Sequence, residues 1–191
     1  MQLDDNFWSE KYLLNQTGWD LHKASPPIKA YIDQLNRKDI RILIPGCGNA
    51  YEADYLLQKG FTNITLIDIS HVLTIRLQDH FKSHALKIIH GDFFAHTGAY
   101  DLILEQTFFC AIDPSLREQY AGKMKDLMAP GGTLAGVLFD RDFEDGPPFG
   151  GTLPEYRQLF TKYFHIRKLE NCYNSILPRV NTETFFILKD R

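Results

Sequence analysis

Cysteine is scarce in this chain, and no stretch of it is long and apolar. The three cysteines, Cys47, Cys110 and Cys172, are odd in number and widely separated, which argues against a disulfide framework. No uninterrupted apolar run approaches the ~20 residues that a membrane-spanning helix needs. The sequence starts Met1-Gln2-Leu3-Asp4-Asp5-Asn6, with acids where a signal peptide carries a basic region and an apolar core. Basic charge is not in excess either. A net charge of −3 leaves no electrostatic footprint for nucleic acid or an anionic membrane. Metal-ligand spacing is also missing: His80 and His84 share a helix face at i, i+4 but have no third ligand, so they read as an exposed face. These absences lead us to expect a cytoplasmic protein without a metal, a nucleic-acid partner or a membrane partner. It should work as a monomer or weak dimer.

What the chain has is aromatic and aliphatic residues. Its 191 residues, 44% of them hydrophobic, suit one domain that buries roughly 70% of the surface its unfolded chain exposes. Phe and Tyr are numerous, at 14 and 9, which suits an aromatic-lined pocket. Residues 1–39 are amphipathic. Phe7, Trp8, Tyr12, Leu13 and Leu14 fall at helical spacing, and a break follows at Thr17-Gly18-Trp19. Pro26 and Pro27 then precede a second helix with Ile28, Tyr31, Ile32 and Leu35 on one face. The aromatics of this segment serve either as core or as a lid over a ligand.

From Ile40 onward, strand and helix patterns alternate. Buried strands are expected at Ile40–Ile44, Asn63–Ile67, Leu86–Ile89, Tyr100–Leu104 and Thr133–Phe139. Helices are expected over Glu52–Lys59, closed by Gly60, over His71–Ser83, capped by Ser70, and from Pro114 to about Met128. In the His71–Ser83 helix the inward residues are read as Val72, Ile75 and Phe81. Such alternation implies a parallel sheet with helices on both faces. After a Gly- and Pro-rich loop, Asp140–Leu153, a helix over Pro154–Tyr163 is followed by strands His165–Leu169 and Thr182–Leu188. With no helix between them, these strands should form an antiparallel pair at the sheet edge.

The turn after the first strand, Ile44-Pro45-Gly46-Cys47-Gly48-Asn49-Ala50-Tyr51, lies where ligands bind in an open α/β sheet. Gly46 and Gly48 occupy the first two positions of the Gly-x-Gly-x-x-Gly dinucleotide fingerprint, and Asp68 stands about twenty residues on. Tyr51 replaces the third glycine, however, and Glu52 puts a carboxylate where a pyrophosphate would bind. S-adenosylmethionine fits better. Its ribose wants the acid at Asp68, and its ammonium and sulfonium groups favour carboxylates and aromatic faces over phosphate-binding chemistry. Asp92 and Phe93, after the third strand, are placed for the adenine.

Four segments carry a family resemblance. They are Phe7-Trp8 with Gly18-Trp19-Asp20-Leu21; Leu43 to Gly48; Gly91-Asp92-Phe93-Phe94; and Thr107-Phe108-Phe109-Cys110-Ala111-Ile112-Asp113-Pro114 with Arg117. A Gly146-Pro147-Pro148-Phe149 loop joins them. The chain resembles the thiopurine, thiol and halide methyltransferases that use S-adenosylmethionine, and is most similar to the halide/thiol branch. The resemblance implies a Rossmann-like class I fold: a seven-stranded, mostly parallel sheet with an antiparallel C-terminal strand. It also implies a single domain, 1–191, in which a helical lid (1–39) covers a cofactor-binding core (40–191). On the same ground Trp8, Tyr12 and Trp19 would close over the cofactor. Gly46 would face its methionine part, Asp68 its ribose, Asp92 and Phe93 its adenine, and Gln106 the region of the sulfonium, with Gly48 and Ile69 also at the cofactor. Arg117 matches an arginine lying toward the acceptor in the thiopurine branch. Phe139-Asp140 departs from the Tyr-Pro of the halide branch, which weakens the expectation for halides more than for thiols.

An aromatic acceptor pocket of Phe108, Phe109, Phe139 and Phe149, with Arg117 near it, would suit a small, soft, poorly hydrated nucleophile. Cys110 has no nearby histidine in sequence and reads as a small buried residue, not a nucleophile. Three other functions remain open: an O- or N-methyltransferase of a small molecule, a non-catalytic binder of S-adenosylmethionine, and a nucleotide-dependent oxidoreductase.

Overall fold

The structure is a computed structural model that describes residues 2–84 and 86–191; of the segment 1–39, Met1 lies outside the described residues. Among these residues seven strands form one sheet: β1 (Ile42–Pro45), β2 (Ile64–Asp68), β3 (Lys87–His90), β4 (Tyr100–Gln106), β5 (Met128–Phe139), β6 (His165–Asn171) and β7 (Glu183–Lys189). Their order is β3-β2-β1-β4-β5-β7-β6. The first five pair in parallel, and β7 runs antiparallel to both of its neighbours. This is the expected mostly parallel sheet with one antiparallel C-terminal strand. β1 and β2 are buried along their whole length, as expected of mainly aliphatic strands covered on both faces.

Among the described residues six α-helices surround the sheet: α1 (Asp5–Leu13), α2 (Pro26–Ile32), α3 (Tyr51–Gln58), α4 (His71–His80), α5 (Arg117–Leu127) and α6 (Leu153–Phe160). One apolar core, with Ile28, Ile32, Ile42, Leu56, Leu66 and Leu77, lies under α2, α3 and α4. The other, with Tyr120, Met124, Tyr156, Phe160 and Phe186, lies under α5 and α6. Ser70 caps α4 by accepting from the Leu73 amide at 3.2 Å, and Thr152 and Glu155 close a capping box on α6. Pro26 and Pro27 stand inside the first turn of α2, where a missing amide hydrogen goes unnoticed.

Three local readings need correction. The buried stripe of α4 is Leu73, Thr74 and Leu77, with Phe81 after it, while Ile75 is 52% exposed. Leu73 and Leu77 are four apart and share a face, and Ile75, two residues from each, falls on the opposite side. Pro114 opens a separate 3-10 turn, Pro114–Leu116, before α5 begins at Arg117. β5 starts at Met128, so Pro130-Gly131-Gly132 lies within its span, where its register against β4 shifts.

Candidate active site

The strand order reverses between β1 and β4, and the turns leaving the carboxyl ends of the parallel strands open a crevice there. A cavity of about 490 Å³ occupies it. Its walls come from the turns after β1, β2, β3 and β4, from the N-terminal segment, and from Pro147 and Pro148 in the β5–α6 loop.

The turn after β1 is held in a left-handed backbone at alternate residues: Gly46 (φ 54°), Gly48 (φ 52°) and Ala50 (φ 56°). At Gly46 a side chain is doubly excluded, because a Cβ would also overlap the Phe108 ring. Asp68, at the end of β2, is 8% exposed and accepts from the amides of Ser70 (2.9 Å) and Gly48 (3.3 Å). These bonds favour its ionised form, but burial outweighs them and pushes its carboxyl up to about 6. Asp92 caps the short turn Phe93–Ala95 by accepting from the Phe94 amide at 2.8 Å.

The N-terminal segment closes one side of the cavity. Trp19 packs edge-on against Trp8 (5.5 Å between rings) and Tyr12 (6.0 Å), and all three face the cavity. Asp20, next in the chain, accepts from Asn49 Nδ2 at 2.6 Å and Tyr51 Oη at 3.2 Å, which ties this segment to the glycine turn. Glu52 also lines the cavity, but its carboxylate is engaged by the Ser25 amide at 2.8 Å. The N-terminal aromatics thus serve as both packing and wall.

Every residue expected to meet the cofactor lines this one cavity: Trp8, Tyr12, Trp19, Gly46, Gly48, Asp68, Ile69, Asp92, Phe93 and Gln106. The acceptor candidates fare differently. Phe108 lines the cavity, but Phe109, Phe139, Phe149 and Arg117 do not. Phe109 is 1% exposed and packs against Tyr120 and Tyr156 in the core. Phe139 lies between Phe143 and the guanidinium of Arg179. Arg117 stacks on Phe109 and donates to the Gly150 carbonyl, which uses its charge within the fold. Phe149 anchors its loop by donating its amide to the Cys110 carbonyl at 2.7 Å. In their place Ile112, Leu116, Pro147 and Pro148 supply apolar wall. Both proline peptide bonds, Gly146–Pro147 and Pro147–Pro148, are cis. Pro147 and Pro148 belong to the Gly146–Phe149 loop that the sequence pointed to for the acceptor, whereas Leu116 had no sequence signal of its own.

A sequence model of the thiopurine S-methyltransferase family matches residues 3–187. The chain belongs to that family. Among its relatives is a protein of Arabidopsis thaliana named probable thiol methyltransferase 2, which is 30% identical over 159 residues, or 80% of this chain and 70% of that protein. A thiopurine S-methyltransferase of Vibrio parahaemolyticus is 28% identical over 180 residues, covering 84% and 83%. The fold matches a 1,6-didemethyltoxoflavin-N1-methyltransferase of Burkholderia thailandensis, solved with that substrate and S-adenosylhomocysteine, with a TM-score of 0.77 at 16% identity. That match covers 97% of this chain and 86% of the other. This family member is therefore an S-adenosylmethionine-dependent methyltransferase with a class I fold.

The residues present fit that cofactor. Among the described residues the cavity is lined by Asp4, Asp20, Glu52, Asp68, Asp92 and Asp113 against one cation, Lys23, a field that suits a sulfonium and an ammonium. Gln106 lines the same space, and its Oε1 is buried and without a hydrogen-bond partner among the described residues.

Proposed function

We propose that this enzyme methylates a small, soft nucleophile, a thiol ahead of a halide or thiopurine. Asp68 and Ile69 would hold the cofactor's ribose, Asp92 and Phe93 its adenine, and Gly46, Gly48 and Gln106 its methionine end. Trp8, Tyr12 and Trp19 would exclude water from above. We read residues 1–39 as a lid on the core 40–191, a division supported by the bonds from Asp20 to Asn49 and Tyr51. S-adenosylmethionine supplies an electrophilic methyl group on a sulfonium. The chain's own task is to orient the two reactants in a dry space, which can lower the barrier by up to ~7–11 kcal/mol.

One observation carries the acceptor assignment. The wall leaving β4 and β5 presents Phe108, Ile112, Leu116, Pro147 and Pro148, an apolar face that costs a soft, weakly hydrated nucleophile less than a hard oxygen or nitrogen one. A thiol, with an ordinary pKa of about 8.5, also ionises in part without a placed base. The Arabidopsis relative's name points the same way. Three buried free cysteines support a cytoplasmic location.

Incubation with S-adenosylmethionine and a panel of thiols, thiopurines, iodide, phenols and amines, with methylated products read by mass spectrometry, tests this. Small apolar thiols should be turned over fastest. Turnover confined to a phenol or an amine would sink the proposal.

A further inference from the structure

Glu105, the penultimate residue of β4, is wholly buried and forms no ion pair among the described residues. An uncompensated buried carboxylate is strongly unfavourable, so its surroundings must account for it. Oε1 accepts from two successive amides, those of Phe108 (2.8 Å) and Phe109 (3.0 Å), and Oε2 accepts from Tyr120 Oη at 2.7 Å. β5 makes room for it. Its cross-strand partner is Gly136, where a Cβ would overlap the backbone and side chain of Glu105. Despite three donors, burial pushes the carboxyl up to about 7.

Side chains alternate along β4, so Gln106 faces the cavity while Glu105 faces α5. The chain then reverses through Thr107, a non-glycine residue at φ 59°. Such a backbone is strained and persists only where its surroundings enforce it. The two amides captured by one carboxylate oxygen provide that enforcement. The reversal sets the Phe108 ring against Gly46 and 5.1 Å from Phe93, with Ile112 and Leu116 following as acceptor wall.

We propose that Glu105 is a positioning residue for methyl transfer: by holding the Phe108 and Phe109 amides it fixes the wall between the cofactor and acceptor halves of the cavity. It touches neither reactant. The proposal rests on the methyl-transfer reading above, and it separates geometry of approach from cofactor affinity.

Two variants test it. Glu105→Gln keeps an oxygen for both amides and offers an N–H to the Tyr120 oxygen, whereas Glu105→Leu keeps the bulk and removes every acceptor. Cofactor dissociation constants are measured by calorimetry, kcat and KM with the best thiol, and exchange of the Phe108 and Phe109 amides by NMR. Glu105→Leu should lose tenfold or more in thiol kcat/KM, hold its cofactor constant within threefold, and exchange both amides at least tenfold faster. Glu105→Gln should stay within threefold of the parent throughout. The proposal is overturned if folded Glu105→Leu keeps its acceptor kinetics, if Glu105→Gln is equally damaged, or if cofactor affinity falls as far as kcat/KM. Should Glu105→Leu fail to fold, Tyr120→Phe decides: a three- to tenfold loss in kcat/KM at constant cofactor affinity supports the proposal, and no loss overturns it. If the parent methylated no thiol, the acceptor assignment would fall on its own. Amide exchange would still judge Glu105, with equal rates in all variants counting against it.

Discussion

The two halves of the cavity are made of different material. The half we assign to the cofactor is shaped by backbone turns: left-handed residues after β1, a carboxylate at the end of β2 held by two amides, and a capped turn after β3. The half we assign to the acceptor is built of apolar side chains: Phe108, Ile112 and Leu116 on the segment after β4, met by two prolines from the β5–α6 loop. Backbone turns tolerate few substitutions because the main chain itself must come close to the ligand. Apolar walls tolerate many, provided volume is conserved. A family built this way can keep one cofactor and change acceptors.

The sharpest way to break this contrast is Gly46→Ala. The added methyl meets both a left-handed backbone and the Phe108 ring, so cofactor affinity should fall at least a hundredfold by calorimetry. A loss under tenfold would mean the turn is softer than its geometry indicates.

A smaller effect is expected at Asp68. Asp68→Asn should weaken cofactor binding ten- to a hundredfold, or about 1.4–2.7 kcal/mol, in the range of hydrogen bonds to charged groups. The same carboxylate sets a pH dependence. Its folded pKa, about 6, lies above the ordinary value of 3.8. The folded chain therefore binds this proton more readily than the unfolded one, and the residue's contribution to stability rises as pH falls from about 7 toward about 4. The ribose contact proposed for Asp68 is strongest with the ionised form, so cofactor affinity should fall over the same window. The rise in melting temperature on adding S-adenosylmethionine should thus shrink from pH 7 to pH 5. In Asp68→Asn that trend should be absent, and an identical trend in the variant would remove Asp68 from the assignment.

The smallest effect belongs to the other half. Leu116→Ala should raise KM for an apolar thiol three- to tenfold, about 0.7–1.4 kcal/mol of lost contact, and leave the cofactor's dissociation constant unchanged. A matching loss of cofactor affinity would erase the boundary between the halves.

The same contrast decides what could be read from the sequence. Strands covered on both faces need unbroken aliphatic runs, so β1 and β2 were visible, and Gly46, Gly48 and Asp68 sit where those runs stop. The antiparallel pair at the sheet edge was visible from the missing crossover helix. Side-chain walls leave no such period. Phe109 and Phe139 carry the same side chain as Phe108, but Phe109 packs into the core and Phe139 lies against Arg179, while Phe108 faces the cavity. Only three-dimensional packing separates them. Arg117 was legible as a cation but not as one already committed to Gly150 and Phe109. Glu105 was hidden because a carboxylate at a strand end reads as solvated until Tyr120, 15 residues later, is seen folding back on it.

One feature of the sheet bears on how the enzyme comes into being. β7 comes last in sequence among the seven described strands, but it lies between β5 and β6. Residues 183–189 therefore enter the middle of a sheet whose other strands precede them. On the ribosome, β5 would present an unpaired edge and β6 would have no neighbour until those residues emerge. A chain that lost only this strand would retain every residue assigned to cofactor and acceptor, yet its sheet could not close. The sheet is complete only when its final strand has been made.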